Sequence, residues 1–370
     1  MPAIIFILVL IGLILAHEFG HFIAAKATGM RVDEFGIGLP PKILGWKPKK
    51  SDTEYTLNWL PFGGFVRIWG EDGVGQDASA IPVDTSRRFG NRPKWAQIIT
   101  LCAGVCMNAI VAWLLLSFSF MSGLPMSVSQ APEGAFVEAR GMTIISVMPD
   151  SPAARAGLHG GDVILSLSDG EKILENPQTP EEVSGFIAGE AGREMTLSYR
   201  RADKTENVPL TPVPGIVEGR AAIGISMDMI GKVRLGFFAA LLYGIQSTGI
   251  LMRDIAVGFG SLITEIVRGT ANLSAVSGPV GIAGMFSASA EFGLAYVLSF
   301  VAFISANLAV LNLLPFPALD GGRILFVIIE SVKRSPIKPI VANTLNTIGF
   351  AALLILMTLV TWQDVIKLFR

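Results

Sequence analysis

Apolar residues and glycine run unbroken from Ala3 to Ala16, resume from Phe22 to Ala25, and stop at Lys26. A helix of that length reaches across about 30 Å of hydrocarbon. Three more intervals carry no charge, from Lys94 to Glu133, from Glu291 to Asp320 and from Lys338 to Asp364. They predict further spans at 98–121, 293–318 and 341–361, hence a polytopic α-helical membrane protein with four transmembrane helices. A fifth apolar run, Leu235 to Met252, is diluted by Gly236, Gly244, Gln246, Ser247, Thr248 and Gly249 and ends on Arg253 and Asp254. It is expected to lie along the interface or to re-enter rather than cross. A signal peptide would place a basic segment before the first run and a small-x-small site after it. The sequence has neither, so the run is read as a lasting helix.

Between spans 2 and 3 the pattern shortens. Thr143 to Val147, Asp162 to Leu167 and Glu194 to Tyr199 alternate in part, as strands do, and Pro180 to Ala188 reads as a helix. Residues 128–230 are therefore expected to fold as an inserted domain between two membrane regions, 1–127 and 231–370. Ahead of span 2, Tyr55 to Leu60 and Gly64 to Trp69 flank Pro61-Phe62-Gly63, which predicts a β-hairpin with exposed aromatic and aliphatic side chains. Such a hairpin would touch the membrane or offer an edge strand.

Composition agrees with this pattern: 51% of the 370 residues are hydrophobic and 16% charged, against about a quarter charged in soluble domains. With 29 Lys and Arg against 30 Asp and Glu and no long run of one sign, nothing points to nucleic acid. The basic residues do give an orientation. Lys26 and Arg31 follow span 1, Arg87, Arg88, Arg92 and Lys94 precede span 2, and Lys333, Arg334 and Lys338 separate spans 3 and 4. These loops are expected on the cytoplasmic side, with both termini and 128–230 outside. Cys102 and Cys106, one helical turn apart in an apolar segment, read as packing residues rather than a disulfide framework.

The chemistry starts at His17-Glu18-Phe19-Gly20-His21, where the first span carries an H-E-x-x-H pentad. On a helix the two imidazoles fall at i and i+4, on one face, where both reach one zinc ion, with Glu18 beside it as general base. Ionisable side chains inside a span are costly and by default functional. Catalytic zinc takes a third protein ligand. The remaining histidine, His159, lies in the inserted domain, so a carboxylate is required, and Asp320 at the end of span 3 is the leading candidate over Glu291 and Asp254. The bland reading of Asp320 is a helix-end carboxylate in a turn before Gly321-Gly322. Depth then constrains topology: Asp320 meets His21 only if span 3 runs inward, which requires 235–252 not to cross. Pro315 and Pro317 deny the helix two amide donors and should unwind it, making room for an extended substrate. Asn312 is placed to bond a substrate backbone or a developing oxyanion, or else to make a helix contact. Asn108 receives the same two readings, with packing preferred.

These residues resemble the site-2 protease family of intramembrane zinc metalloproteases: the pentad in the first span, Asn312-x-x-Pro315-x-Pro317-x-Leu319-Asp320-Gly321 in a later one, and a soluble domain between. The bacterial branch that cleaves membrane-bound anti-sigma factors, the regulator-of-sigma-E type, is the most similar. That resemblance implies zinc on His17, His21 and Asp320, Glu18 as general base, and Asn312 holding substrate. Gly36-Ile37-Gly38 and Gly63-Gly64-Phe65-Val66-Arg67 resemble the family's membrane-associated β-loop, with Gly64 and Phe65 against substrate, and Ser277-Gly278-Pro279-Val280-Gly281-Ile282 is a further match. Residues 128–230 are similar to a PDZ domain, with Arg140-Gly141-Met142-Thr143-Ile144 in the place of the carboxylate-binding loop and Ser151 to Leu158 after it. Such a domain is implied to screen transmembrane substrates already shortened by a first protease, at a bacterial inner membrane. Departures are a single PDZ domain where two in tandem are usual, Val105 where Pro is frequent, and Arg323 after Gly-Gly where His is common. A PDZ-bearing adaptor without proteolysis and a metal sensor or transporter are the rival classes. An adaptor has no need of Glu18 between two histidines, and a transporter should carry further ligands than Cys102, Cys106 and Met107.

Overall fold

A computed structural model describes residues 2–71, 85–201, 204–217, 219–270 and 277–368. The chain divides into two units, residues 120–240 and the remainder.

The larger unit is helical. Helix α1 (Pro2–Ala27) is followed by two long strands, β1 (Val32–Trp46) and β2 (Glu54–Ile68), and then by α2 (Lys94–Ser122). After the inserted unit come α5 (Phe237–Arg268), α6 (Pro279–Glu291), α7 (Leu294–Leu313), α8 (Asp320–Lys333) and α9 (Pro339–Leu368). Among the described residues, four helices are long and apolar enough to cross a membrane: α1, α2, α7 and α9. Outward faces rich in Ile4, Leu8, Phe118, Ile348 and Ile355 suit lipid rather than water. Helix α6 is too short to span, and its Phe286 packs with Phe6 and Leu13 of α1 and with Val301 and Ile304 of α7. Buried Asp364 of α9 accepts the Gly281 amide at 2.8 Å in the first turn of α6, where a carboxylate offsets the positive helix end.

Three expectations need adjusting. The third span, read as 293–318, stops at Leu313, because Pro315 and Pro317 cannot donate to a continuing helix. The apolar run read as 235–252 continues through Arg253 and Asp254 as one helix of 32 residues, α5. Its early turns pack on α2, where the Trp113 indole donates to the Leu241 carbonyl at 2.8 Å and a side chain at Gly244 would collide with Ser117. The hairpin centred on Pro61-Phe62-Gly63 does not form as expected. The two flanks do not pair with each other; both pair with β1, Val66 and Tyr55 each opposing Phe35. Gly38, at φ +79°, lies against the carbonyls of Asn58 and Leu60, an approach no side chain allows, and it is the point where β1 changes partner segment.

The smaller unit is a seven-stranded antiparallel sheet with helices on it: β3 (Leu124–Ser127), β4 (Phe136–Val147), α3 (Pro152–Arg155), β5 (Val163–Ser168), β6 (Ile173–Glu175), α4 (Pro180–Gly189), β7 (Met195–Arg201), β8 (Lys204–Leu210), β9 (Val213–Val217), β10 (Arg220–Ala222) and β11 (Ile225–Arg234). The sheet order is β3-β11-β4-β5-β7-β8, β6 pairs with β5, and β9 with β10 forms a separate ribbon. Sequence punctuation explains both helices: Ser151 and Thr179 cap them by accepting from the amides of Ala154 and Glu182, and a proline follows each cap. Met142, Ile144, Leu167, Val183, Ile187 and Leu197 close its core. Asp162 is buried, which raises its carboxyl, yet the Arg201 guanidinium at 2.6 and 2.7 Å and the His159 amide hold it below the usual carboxylate range. Its contribution to stability is present above the unfolded carboxylate range and fades as pH falls through the lowered folded value.

Candidate metal centre

His17 and His21 lie on one face of α1, both 8% exposed. Asp320 opens α8, at the positive end of that helix, with its side chain 17% exposed. The loop between α7 and α8 delivers it. Ala318 there sits at φ +77°, a strained conformation for a residue with a side chain. The Asn346 carboxamide of α9 accepts the Ala318 amide at 3.2 Å. The glycines around the loop are steric necessities: a Cβ on Gly321 would come within 2.1 Å of the Leu314 carbonyl, on Gly322 within 2.3 Å of Phe316, and on Gly349 within 2.4 Å of Pro317.

The three side chains converge. His17 Nε2 is 3.0 Å and His21 Nε2 3.3 Å from Asp320 Oδ2, and the two Nε2 atoms are 3.2 Å apart. A tetrahedron with bonds of about 2.0 Å has edges of about 3.3 Å, so the triangle matches one face of a zinc coordination shell. His21 Nδ1 donates to the Thr100 carbonyl at 2.8 Å, which leaves its Nε2 as a bare lone pair aimed at the others. Asp320 Oδ2 is buried without a hydrogen-bond donor. A carboxylate oxygen facing imidazole lone pairs in a dry site is repulsive unless a cation lies among them, and two nitrogens with one oxygen suit zinc. Among the described residues His17, His21 and Asp320 form the metal-ligating cluster. Asp254 does not join it, and the side chain of Glu291 lies outside the described residues.

Glu18 is half-buried between these histidines on α1, and β2 passes beside it: a Cβ on Gly64 would lie 3.6 Å from Glu18 Cγ and 3.0 Å from Leu15. The ring of Phe65, next along, lies against Gly36, where any side chain would strike it. Asn312 is half-buried in the last turn of α7, Pro315 is exposed, and Pro317 is half-buried in the loop leading to Asp320. Arg323, one turn into α8, forms an ion pair with Glu71.

Helix α2 closes the centre from the other side. A Cβ on Gly104 would lie 2.3 Å from His21 Nε2 and 2.7 Å from His17 Cε1, and one on Gly20 would lie 2.3 Å from the Ala103 carbonyl, so the two backbones touch. Thr100, Gly104 and Asn108, spaced four residues apart, line the α2 face against the histidines. Sequence reading passed over Gly104; the signal was a glycine at i+4 from Thr100 and i−4 from Asn108 inside a span. Gly104→Ala raises intrinsic helix propensity yet should weaken zinc binding about 10-fold or more by pushing a ligand aside. Chelator competition on the purified variant checks this, and unchanged affinity would count against the close crossing.

In the smaller unit, Gly141 and Met142 are not part of a binding loop. They lie within β4, opposite Ile230 and Met229 of β11, Met142 also opposite Ile164 of β5, and Met142 is 1% exposed. With a ladder partner at each and a core side chain at Met142, this segment is strand rather than loop. A groove does exist elsewhere in the unit, between Ser184 and Ile187 of α4 and the segment Ile223 to Met227. Strand β11 there pairs with β4 throughout, whereas β3 covers it only from Ile230 to Val233.

The sequence profile of peptidase family M50 matches residues 5–356. The chain is 37% identical over 355 residues, 96% of its length and 95% of the relative's, to a Clostridium perfringens protein named as a zinc metalloprotease. It is 30% identical to the regulator of sigma-W protease RasP of Bacillus subtilis, covering 99% of this chain and 98% of that one. Among solved structures, the PDZ domain of an SdrC-like protein from Listeria monocytogenes is 29% identical over 24% of this chain and 86% of its own, with a TM-score of 0.21. A profile match over residues 5–356 and relatives that align over nearly their whole length place this polytopic chain in peptidase family M50, the site-2 proteases, as a zinc metalloprotease.

Proposed function

We propose that the protein hydrolyses peptide bonds within transmembrane segments of membrane proteins, such as anti-sigma factors, after a first protease has shortened them. The observation that carries this reading is the meeting of two histidines from a membrane-length helix with a carboxylate 299 residues beyond His21 in the chain (320 − 21), around a centre fit for a cation. The B. subtilis relative, named a regulator of sigma-W protease, supports the substrate class.

His17, His21 and Asp320 hold zinc, which when bound supplies a Lewis acid and acidifies water towards a pKa of about 7. Glu18 takes the proton from the attacking water and returns it to the leaving amine. A substrate helix must unwind for its carbonyl to reach the centre. The strand at Gly64 and Phe65, beside Glu18, offers main-chain bonds to the unwound segment. Pro315 and Pro317 keep the opposite wall non-helical, and Asn312 bonds the substrate backbone or the developing oxyanion. In the inserted PDZ-like domain, 128–230, the groove between α4 and the start of β11 takes a substrate C-terminus as an added strand. From the basic loop residues, that domain lies outside the bacterial cytoplasmic membrane and the zinc centre near its cytoplasmic side.

The test is cleavage in liposomes of a single-span substrate carrying a short free C-terminal ectodomain, with fragment masses read by mass spectrometry. Cuts should fall inside the apolar segment, stop with a zinc chelator and resume with zinc. A bulky C-terminal extension should slow them about 10-fold, and in spheroplasts external trypsin should reach 128–230 but not the loop before α2. Cuts confined to soluble segments, or cleavage indifferent to chelation, would overturn the reading.

A further inference from the structure

Asn108 sits at the midpoint of α2 and is fully buried. Its carboxamide Nδ2 lies 3.3 Å from His17 Nδ1, while its Oδ1 is buried with no donor. The two ends of a carboxamide have nearly the same shape, so either can face the imidazole, but they demand opposite tautomers. With Nδ2 towards the ring, Nδ1 must accept, and a neutral His17 then carries its proton on Nε2, in the middle of the ligand triangle where it blocks a cation. With Oδ1 towards the ring, Nδ1 donates, the bond to Oδ1 replaces the one Nδ2 made, and Nε2 is left as a lone pair facing His21 Nε2 and Asp320 Oδ2 at 3.2 and 3.0 Å.

His21 already has this arrangement through a different acceptor, the Thr100 carbonyl at 2.8 Å. Thr100 and Asn108 stand four residues either side of Gly104 on α2. One helix face therefore offers an acceptor to each histidine and, between them, the gap the rings need. The position of Asn108 is itself fixed, because its backbone carbonyl accepts from the buried Ser305 hydroxyl of α7 at 2.8 Å.

From this geometry we infer that Asn108 is a positioning residue for the metal centre: its Oδ1 accepts the His17 Nδ1 proton and so presents Nε2 to zinc. The inference rests on the zinc reading above. A helix-packing role for the same residue makes the opposite prediction for two substitutions. Asn108→Leu keeps the volume and removes the acceptor; Asn108→Asp keeps the acceptor and puts a charge in the helix interface.

The experiment measures zinc affinity of the purified full-length protein by chelator competition, with the visible spectrum of the cobalt-substituted form as a second readout of ligand geometry. Far-UV circular dichroism and gel filtration in detergent check folding. Positioning predicts that Asn108→Asp binds zinc within about threefold of wild type and keeps the cobalt spectrum. It predicts that Asn108→Leu, though folded, loses about 10- to 100-fold in affinity and shifts the spectrum. Packing predicts that Asn108→Leu matches wild type and Asn108→Asp is the damaged variant; that order would overturn the inference and leave the zinc reading standing. If Asn108→Leu does not accumulate as folded protein, Asn108→Asp decides alone: affinity within threefold supports the inference, and a 10-fold loss overturns it. A wild type that binds no zinc would overturn both.

Discussion

Glu18→Gln should bind zinc at wild-type stoichiometry and cleave about 10²- to 10⁴-fold more slowly. Glutamine has nearly the same shape and keeps an acceptor oxygen, so the half-buried site between α1 and β2, where Gly64 leaves no bulk against Glu18, is undisturbed. What it cannot do is take a proton. The ligand set does not include residue 18, so metal content should not follow activity down. Zinc by atomic absorption and single-turnover cleavage of a reconstituted substrate separate the two quantities. Retained cleavage would remove Glu18 from the chemistry, and joint loss of metal and activity would recast it as a residue the site needs for shape. The adaptor class is also distinguished: an adaptor that only binds through its PDZ-like unit loses nothing on this substitution.

What the sequence made legible follows the range of the forces involved. Spans depend on local composition, and the intervals free of charge fall on α1, α2, α7 and α9 because hydrocarbon thickness sets helix length. The proline break after Leu313 was local too, and only the extent of span 3 was overestimated. His17 and His21 at i and i+4 are a property of any helix, whereas Asp320 was selected by chemistry and depth, and the fold brings it to 3.0 Å of His17. Strand partnership is different. Pro61-Phe62-Gly63 looks like a turn, but β1 outcompetes the local hairpin by offering both flanks a long ladder, and no pattern within 55–69 encodes that. The segment at Gly141 and Met142 was misplaced for the same reason: a glycine before alternating apolar residues fits a loop or a central strand, and only its neighbours β11 and β5 decide. Asn108 was read as packing because a buried amide in a span does not announce which side chain it faces.

Asp320→Ala should abolish zinc binding, lowering affinity by more than the roughly 100-fold ceiling typical of residues that only orient ligands. Its effect on stability should depend on the metal. Without a cation, Asp320 Oδ2 is a buried oxygen with no donor, set 3.0 and 3.3 Å from imidazole nitrogens, and it adds nothing that caps its own helix: the N-cap of α8 is Leu319 and makes no side-chain cap bond. Removing such a group relieves the desolvation of a buried carboxylate, against a helix-dipole gain of about 0.3–1 kcal/mol that is forfeited. The metal-stripped variant should therefore melt at or above the metal-stripped wild type. Zinc should raise the wild-type midpoint by mass action and leave the variant where it was. Thermal scans of both proteins with and without zinc read all four values. An Asp320 that merely ended a helix ahead of Gly321-Gly322 would give the reverse, a lower midpoint in the stripped variant and an undiminished response to zinc, and that outcome would remove the third ligand on which the membrane-embedded reading of the pentad depends.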